Sequence, residues 1–298
     1  MSVEKPNHTH SSPMTNERKS SPRRFTPIKT PSVMKCYFLS VLVMAVVFVG
    51  CNNDDVTPEM PVPVLGPKLR SATTHFLGKN GFRPGDKNIF TYDEYGRLSV
   101  KEYSTYDIVS QKFNLFSVTR FTYESNKLKT TDEIISGVQR QITHYAYTGD
   151  KLTKMVRNGE GVNTEVTIQY LPGDTIQAFY QHTNGRSFTY VFHAPQGNIR
   201  YEKTINDSHT LSSVVTNEFD GHINPYSLLG YTDILFSNLS KSNKVKTESA
   251  YYTNLPNSVP TTYDYTYNDD GLPLVQTITY KSYPSQSVET KMMVVFEY

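Results

Sequence analysis

Six aspartates, Asp93, Asp150, Asp174, Asp220, Asp269 and Asp270, are the most conspicuous set of ionisable side chains in this 298-residue chain. Two carboxylates facing one another across a sheet would make a glycosidase pair. Here each aspartate sits in a short polar run with glycine close by, as in DEYG, TGD, PGD and NDDG. Such residues bond back to their own backbone or supply positive φ, so turn chemistry accounts for them without catalysis. The histidines at 75, 144, 182, 193, 209 and 222 lack the close spacing of a metal pair, and there is no Gly-rich phosphate loop, HExxH, GxSxG or paired cysteine. These patterns lead us to expect no catalytic residue, no metal site and no cofactor.

Cys51 is the residue best placed for a defined reaction. It follows Met34-Lys35 and a 14-residue apolar run, Tyr37 to Gly50. That run is short for a membrane-spanning helix, which needs ~20 residues, and it reads as a signal peptide over residues 34–50. Residues 1–33 are polar, basic and rich in Pro and Ser, and are expected to be a disordered or untranslated leader. Behind Cys51, prolines at 58, 61, 63 and 67 favour an extended tether over residues 51–67. A plain signal peptide with an incidental cysteine is the alternative.

The sequence FVGC at Phe48 to Cys51 resembles the bacterial lipobox, with Phe48 departing from the usual Leu. The resemblance implies cleavage before Cys51 and acylation of its thiol. Two or three acyl chains, at ~0.8 kcal/mol per buried methylene, then hold the chain to a membrane. Asp54 and Asp55 resemble the acidic export signal of Bacteroidota lipoproteins, which implies display on the outer face of the outer membrane.

Charge narrows the partners further. Seven of the 30 Lys and Arg residues and two of the 28 acids lie in residues 1–50, leaving 23 and 26 and a net charge of −3 from Cys51 onward. This gives no basic footprint for nucleic acid.

The elements that must position these residues are written as a repeat. An aromatic residue precedes a turn at Tyr92, Tyr123, Tyr147, Tyr170, Phe192, Phe219, Tyr267 and, at the end, Tyr298. The usual interval is near 24 residues, with the interval of 48 between Phe219 and Tyr267 reading as a doubled unit. Before each turn, aromatics alternate with polar residues at the period of a strand, and Leu or Ile opens the return strand. Turns are expected near 93–97, 124–127, 148–151, 172–175, 194–198, 220–222 and 268–271. One hairpin cannot bury its own face, so many must stack. The expected fold over residues 68–298 is all-β: an antiparallel meander of about 14–16 strands, curled or closed like a barrel.

YDEYGRL at Tyr92 to Leu98 matches the YD repeat of RHS and teneurin proteins, although the later copies lose its Arg and often its Asp. Lipobox, Pro-rich tether, YD-like hairpins, FDGHINPY (Phe219 to Tyr226) and LSKSNKV (Leu239 to Val245) together resemble Bacteroidota surface lipoproteins of unknown function with a porin-like β domain. That resemblance implies a fold and a location, with no assigned activity.

One stretch breaks the rhythm. Apolar residues at 228, 229, 231, 234, 235 and 239 are closer to helical spacing, which predicts a short helical insertion near 225–240, acting as a plug. The competing expectation is a binding loop carrying Asn238, Lys241, Asn243 and Lys244.

Three functions follow. The first is a non-enzymatic, membrane-anchored module that binds a glycan or a partner outer-membrane protein. The second is an embedded outer-membrane barrel, for which the alternating C-terminal face of Met292, Val294, Phe296 and Tyr298 speaks. The third is a surface hydrolase of polysaccharide or peptide.

Overall fold

A computed structural model of the chain describes residues 66–252, 259–281 and 289–298. The leader, the signal segment, Cys51, Asp54, Asp55 and most of the tether lie outside the described residues. From Ser71 onward the chain forms sixteen strands: β1 (Ser71–Gly78), β2 (Gly81–Tyr92), β3 (Leu98–Asp107), β4 (Lys112–Glu124), β5 (Lys127–Ile135), β6 (Val138–Thr148), β7 (Lys151–Gly159), β8 (Thr164–Leu171), β9 (Thr175–His182), β10 (Ser187–His193), β11 (Tyr201–Asn206), β12 (Leu211–Ile223), β13 (Ser242–Tyr251), β14 (Val259–Tyr267), β15 (Pro273–Lys281) and β16 (Glu289–Glu297).

Each strand pairs antiparallel with its sequence neighbours, and β1 pairs with β16 from Ser71 opposite Glu297 to Phe76 opposite Met292. The sheet is therefore a closed barrel, which leaves no edge to aggregate.

Alternation decides which way each side chain points. In β8, buried Thr164, Val166 and Ile168 alternate with exposed Glu165, Thr167 and Gln169. Cross-strand register carries the same sidedness around the wall: Val166 lies opposite Met155 and Tyr180, and Tyr180 opposite Phe188. The apolar face looks inward, and Met155, Val166, Ala178 and Tyr180 are essentially inaccessible to water.

The repeat aromatics fall at or near the ends of the even-numbered strands, with Phe219 four residues before the end of β12 and Tyr298 just after β16, so they share one rim, the YD rim. Six of the seven expected turns lie there, in the connections at 93–97, 125–126, 149–150, 172–174, 194–200 and 268–272.

The exception is 220–222. These residues belong to β12, where the register with β13 shifts between Glu218 and Ile223, and the chain reverses only after Ile223. Gly221, at φ 98°, makes an irregularity within a strand instead of a turn. The interval of 48 residues is accordingly one unit with a long rim connection, 224–241, and not two units.

That connection is less helical than its apolar spacing predicts. Asn224 accepts a hydrogen bond from the Tyr226 amide and starts a single 3-10 turn, Pro225–Leu229. Gly230, at φ 71°, ends it. The remainder is irregular and turns into the lumen, where Tyr231 packs edge-on against Phe121, and Phe236 lies 5.0 Å from the Phe192 ring. Tyr180 donates to the Ile234 carbonyl from the wall. A barrel of this strand number is wide enough for an aqueous channel. Here two apolar clusters, built from inward wall residues and the 224–241 segment, fill the lumen at the YD rim.

Candidate functional site

The YD rim is held by contacts between successive hairpins. Tyr92 donates to the Leu69 carbonyl at 2.8 Å, Tyr123 to Leu98 at 3.0 Å, and Tyr298 to Pro273 at 3.0 Å. For Tyr123 and Tyr298 the phenol of one unit reaches the backbone just beyond the previous unit's turn, and for Tyr92 it reaches the segment leading into β1. Cations continue the pattern: Lys68 covers Tyr92, Arg97 covers Tyr123, Lys127 covers Tyr147 and Lys151 covers Tyr170, at 4.5 to 5.9 Å from the ring centres. Each hydrogen bond contributes ~1 kcal/mol and each cation–π contact ~0.5–1 kcal/mol.

The first repeat shows why its residues occur together. Asp93 accepts from the amides of Tyr95 and Arg97 and pairs with the Arg97 guanidinium at 2.7 Å. Arg97 then donates to the Ser125 carbonyl of the next turn at 2.8 Å. Lys127 repeats this move, donating to the Gly149 carbonyl at 2.6 Å and pairing with Asp150 at 3.1 Å. The sequence signal for this stitching is a cation directly before the return-strand leucine, at Lys68-Leu69, Arg97-Leu98, Lys127-Leu128 and Lys151-Leu152.

Between this rim and the plug lies a vestibule of about 350 Å³, with Tyr147, Asp150, Tyr170, Tyr231, Asn238 and Lys241 among its walls. Burial raises the Tyr147 and Tyr170 phenols above their ordinary range, which keeps both as neutral donors. Aromatic faces beside such donors and a carboxylate can stack on a sugar ring and hydrogen-bond its hydroxyls.

Of the four residues expected in a binding loop, Asn238 and Lys241 line this vestibule together, while Asn243 and Lys244 lie in β13. Asn238 accepts from the Asp233 amide at 3.2 Å and donates to the Tyr231 carbonyl, so it shapes the plug while bordering the vestibule. Lys241 lies across Gly197, where an added Cβ would sit 2.8 Å from the lysine chain, and its amide donates to the Gly197 carbonyl. Asn243 is buried and donates to the Tyr267 hydroxyl at 3.5 Å. Lys244 is partly buried near Glu202, and burial lowers its ammonium below the usual lysine range.

Of the six aspartates, Asp93, Asp150 and Asp220 hold rim contacts through their side chains. Asp220 accepts from the His222 amide at 2.8 Å and from the Tyr267 hydroxyl, and His222 stacks on Tyr267 at 4.2 Å. Asp174 takes φ 55° in its turn. Among the described residues, no group of three or more His, Cys, Asp or Glu side chains is placed to hold a metal ion.

Fold and site together define a closed, sixteen-stranded antiparallel barrel with a plugged lumen. Its fold is similar to that of a porin-like protein from Bacteroides uniformis, with a TM-score of 0.53 at 12% sequence identity, over 78% of this chain and 98% of that one. No protein family and no curated protein matches the sequence.

Proposed function

We propose that the chain is a cell-envelope barrel that binds instead of catalysing, tethered to the outer membrane through acylated Cys51 and offering the YD-rim vestibule to a glycan. The observation that carries this reading is the chemistry of the outer wall. Outward apolar residues face charged ones across the strands: Ile89 and Val118 flank Glu102, Val156 faces Glu165, and Val191 and Val214 flank Lys203. Lys154 pairs with Glu165 at 2.8 Å and Lys246 with Glu248 at 2.8 Å on the same face. A lipid-facing wall needs an unbroken apolar band, and each Lys at the bilayer midplane costs about 2–4 kcal/mol. Water is the better solvent for this surface.

The embedded barrel is the second reading. A closed ring of sixteen strands and the likeness to a porin-like protein favour it, and that likeness supports it more directly than it supports a tethered module. Cell-envelope location at the outer membrane is common to both readings. A hydrolase has less support, because three of the six aspartates, Asp93, Asp150 and Asp220, are bound up in rim contacts.

Purification of residues 66–298 without detergent separates the two. A monodisperse, protease-resistant barrel in plain buffer is the expected result. Recovery only in detergent, with protease resistance gained only in bilayers, transfers the assignment to the embedded barrel. For the anchor, Cys51→Ala is expected to abolish labelled palmitate incorporation, and persistence of label in that variant refutes the lipoprotein reading.

A further inference from the structure

Deeper in the barrel, on the wall strands that face the plug, a second cavity of about 190 Å³ has Lys101, Glu133 and Asp233 in its lining, with Phe121, Tyr145 and Tyr231 as aromatic surface. Lys101 on β3 and Glu133 on β5 are both in register with Thr119 of β4, one from each side. Their Cα atoms are thus two strand spacings apart, ~9–10 Å. Among the described residues, neither side chain has an ion-pair or hydrogen-bond partner, and Lys101 pairs with neither acid of the cavity. Asp233 differs: both its oxygens accept from Ser237, so it is fixed as part of the plug.

Burial pulls the Lys101 ammonium below its usual range, and Asp233 and Glu133 offset this only in part. A desolvated cation and a separated anion sharing one hollow call for a ligand that satisfies both. A neutral sugar would leave both charges uncompensated. A simple anion or cation would serve one and repel the other.

We propose that this cavity is a binding site for a small zwitterion, an α-amino acid with an apolar side chain. Its carboxylate meets Lys101, its ammonium meets Glu133, and its side chain lies against Phe121, Tyr145 and Tyr231. The site shares Tyr231 with the rim vestibule but takes its charged groups, Lys101 and Glu133, from wall strands that do not line the vestibule.

Calorimetric titration of the purified full chain with L-leucine, leucine amide, 4-methylpentanoate and glucose tests this. Leucine is expected to bind ~10–100-fold tighter than either truncated analogue, the range for losing one charge-assisted contact. Glucose is expected to give no heat. Lys101→Met should erase the preference for leucine over leucine amide while keeping the preference over 4-methylpentanoate, and Glu133→Gln should do the converse. Equal or absent binding of leucine and its analogues, or an unchanged ranking in Lys101→Met, overturns the proposal. If a variant fails to fold, the ranking of the four compounds on the native chain decides alone.

Discussion

The two rims of the barrel are built on different principles. At the YD rim, the hairpins ending in Tyr123, Tyr147, Tyr170, Tyr267 and Tyr298 are tied to the one before by a phenol or a cation, and the 224–241 segment folds inward beneath them. At the far rim, the turns at 79–80, 108–111, 136–137, 160–163, 183–186 and 207–210 are held mainly by their own residues. Asp107 caps its own turn through Val109 and Ser110, and Asn206 does so through Ser208 and Thr210. Among the described residues, links between neighbouring far-rim turns are few, such as Arg140 with Glu160 and Thr183 with Asn163. Val109 there is 93% exposed, whereas Phe236 in the plug is 3% exposed. The repeat is therefore a device for one end of the barrel.

High pH should break this contrast most forcefully. Burial raises the phenols of Tyr92, Tyr145 and Tyr226 to about 12, and that of Tyr123 further in the same direction. Above pH ~10 the unfolded chain ionises while the fold keeps these protons, so the folded state binds more protons and stability falls as pH rises to ~12. Each phenol contributes on the order of 1–2 kcal/mol after allowance for partial exposure. Melting curves from pH 8 to 12, followed with tyrosinate absorbance, should show a steep loss of Tm with cooperative ionisation.

Next in size is the plug. Phe236→Ala removes a buried ring from the Phe192 contact and is expected to cost about 3–5 kcal/mol in denaturant unfolding. Val109→Ala at the far rim should stay within about 0.5 kcal/mol. Tyr123→Phe, which deletes the bond to Leu98 without changing volume, should cost about 1 kcal/mol. The smallest effect at the YD rim belongs to the ladder of cations: Lys151→Met, which leaves Tyr170 uncovered, should cost about 0.5 kcal/mol. A far-rim substitution as costly as Phe236→Ala would remove the distinction. Gly159→Ala is the place to look, because its Cβ would sit 2.6 Å from the Arg140 carbonyl.

The strand count was legible because an aromatic marks every even strand, and the plug because apolar residues crowd the one interval that breaks the rhythm. Asp220-Gly221 misled because the same two residues serve a turn or a strand irregularity, and only the tertiary bond from Tyr267 to Asp220 distinguishes them. Helical spacing at 228–239 overstated the helix, since Tyr231, Ile234 and Leu239 pack on the lumen wall from an irregular chain while Leu235 is exposed. Far-rim turns carried their own signals, Asn80-Gly81 and Asn184-Gly185, but those lie half a repeat away from the aromatics that set the reading frame. Lys101 and Glu133 could not be found at all. They sit in strands where charged residues appear on both faces, and alternation alone does not say which face meets the plug.

The seam between β1 and β16 has a kinetic consequence. Every other pairing joins sequence neighbours, while the hydrogen bond from Ser71 to Glu297 spans 226 residues. Local hairpins can form in microseconds, but contacts of such separation are slow to find. During synthesis β1 must therefore wait, one side paired with β2 and the other open, until the last strand arrives. For that interval the molecule is an unclosed sheet with two adhesive borders, and a chaperone or the speed of the final strand, more than the stability of the finished ring, decides how much of it survives.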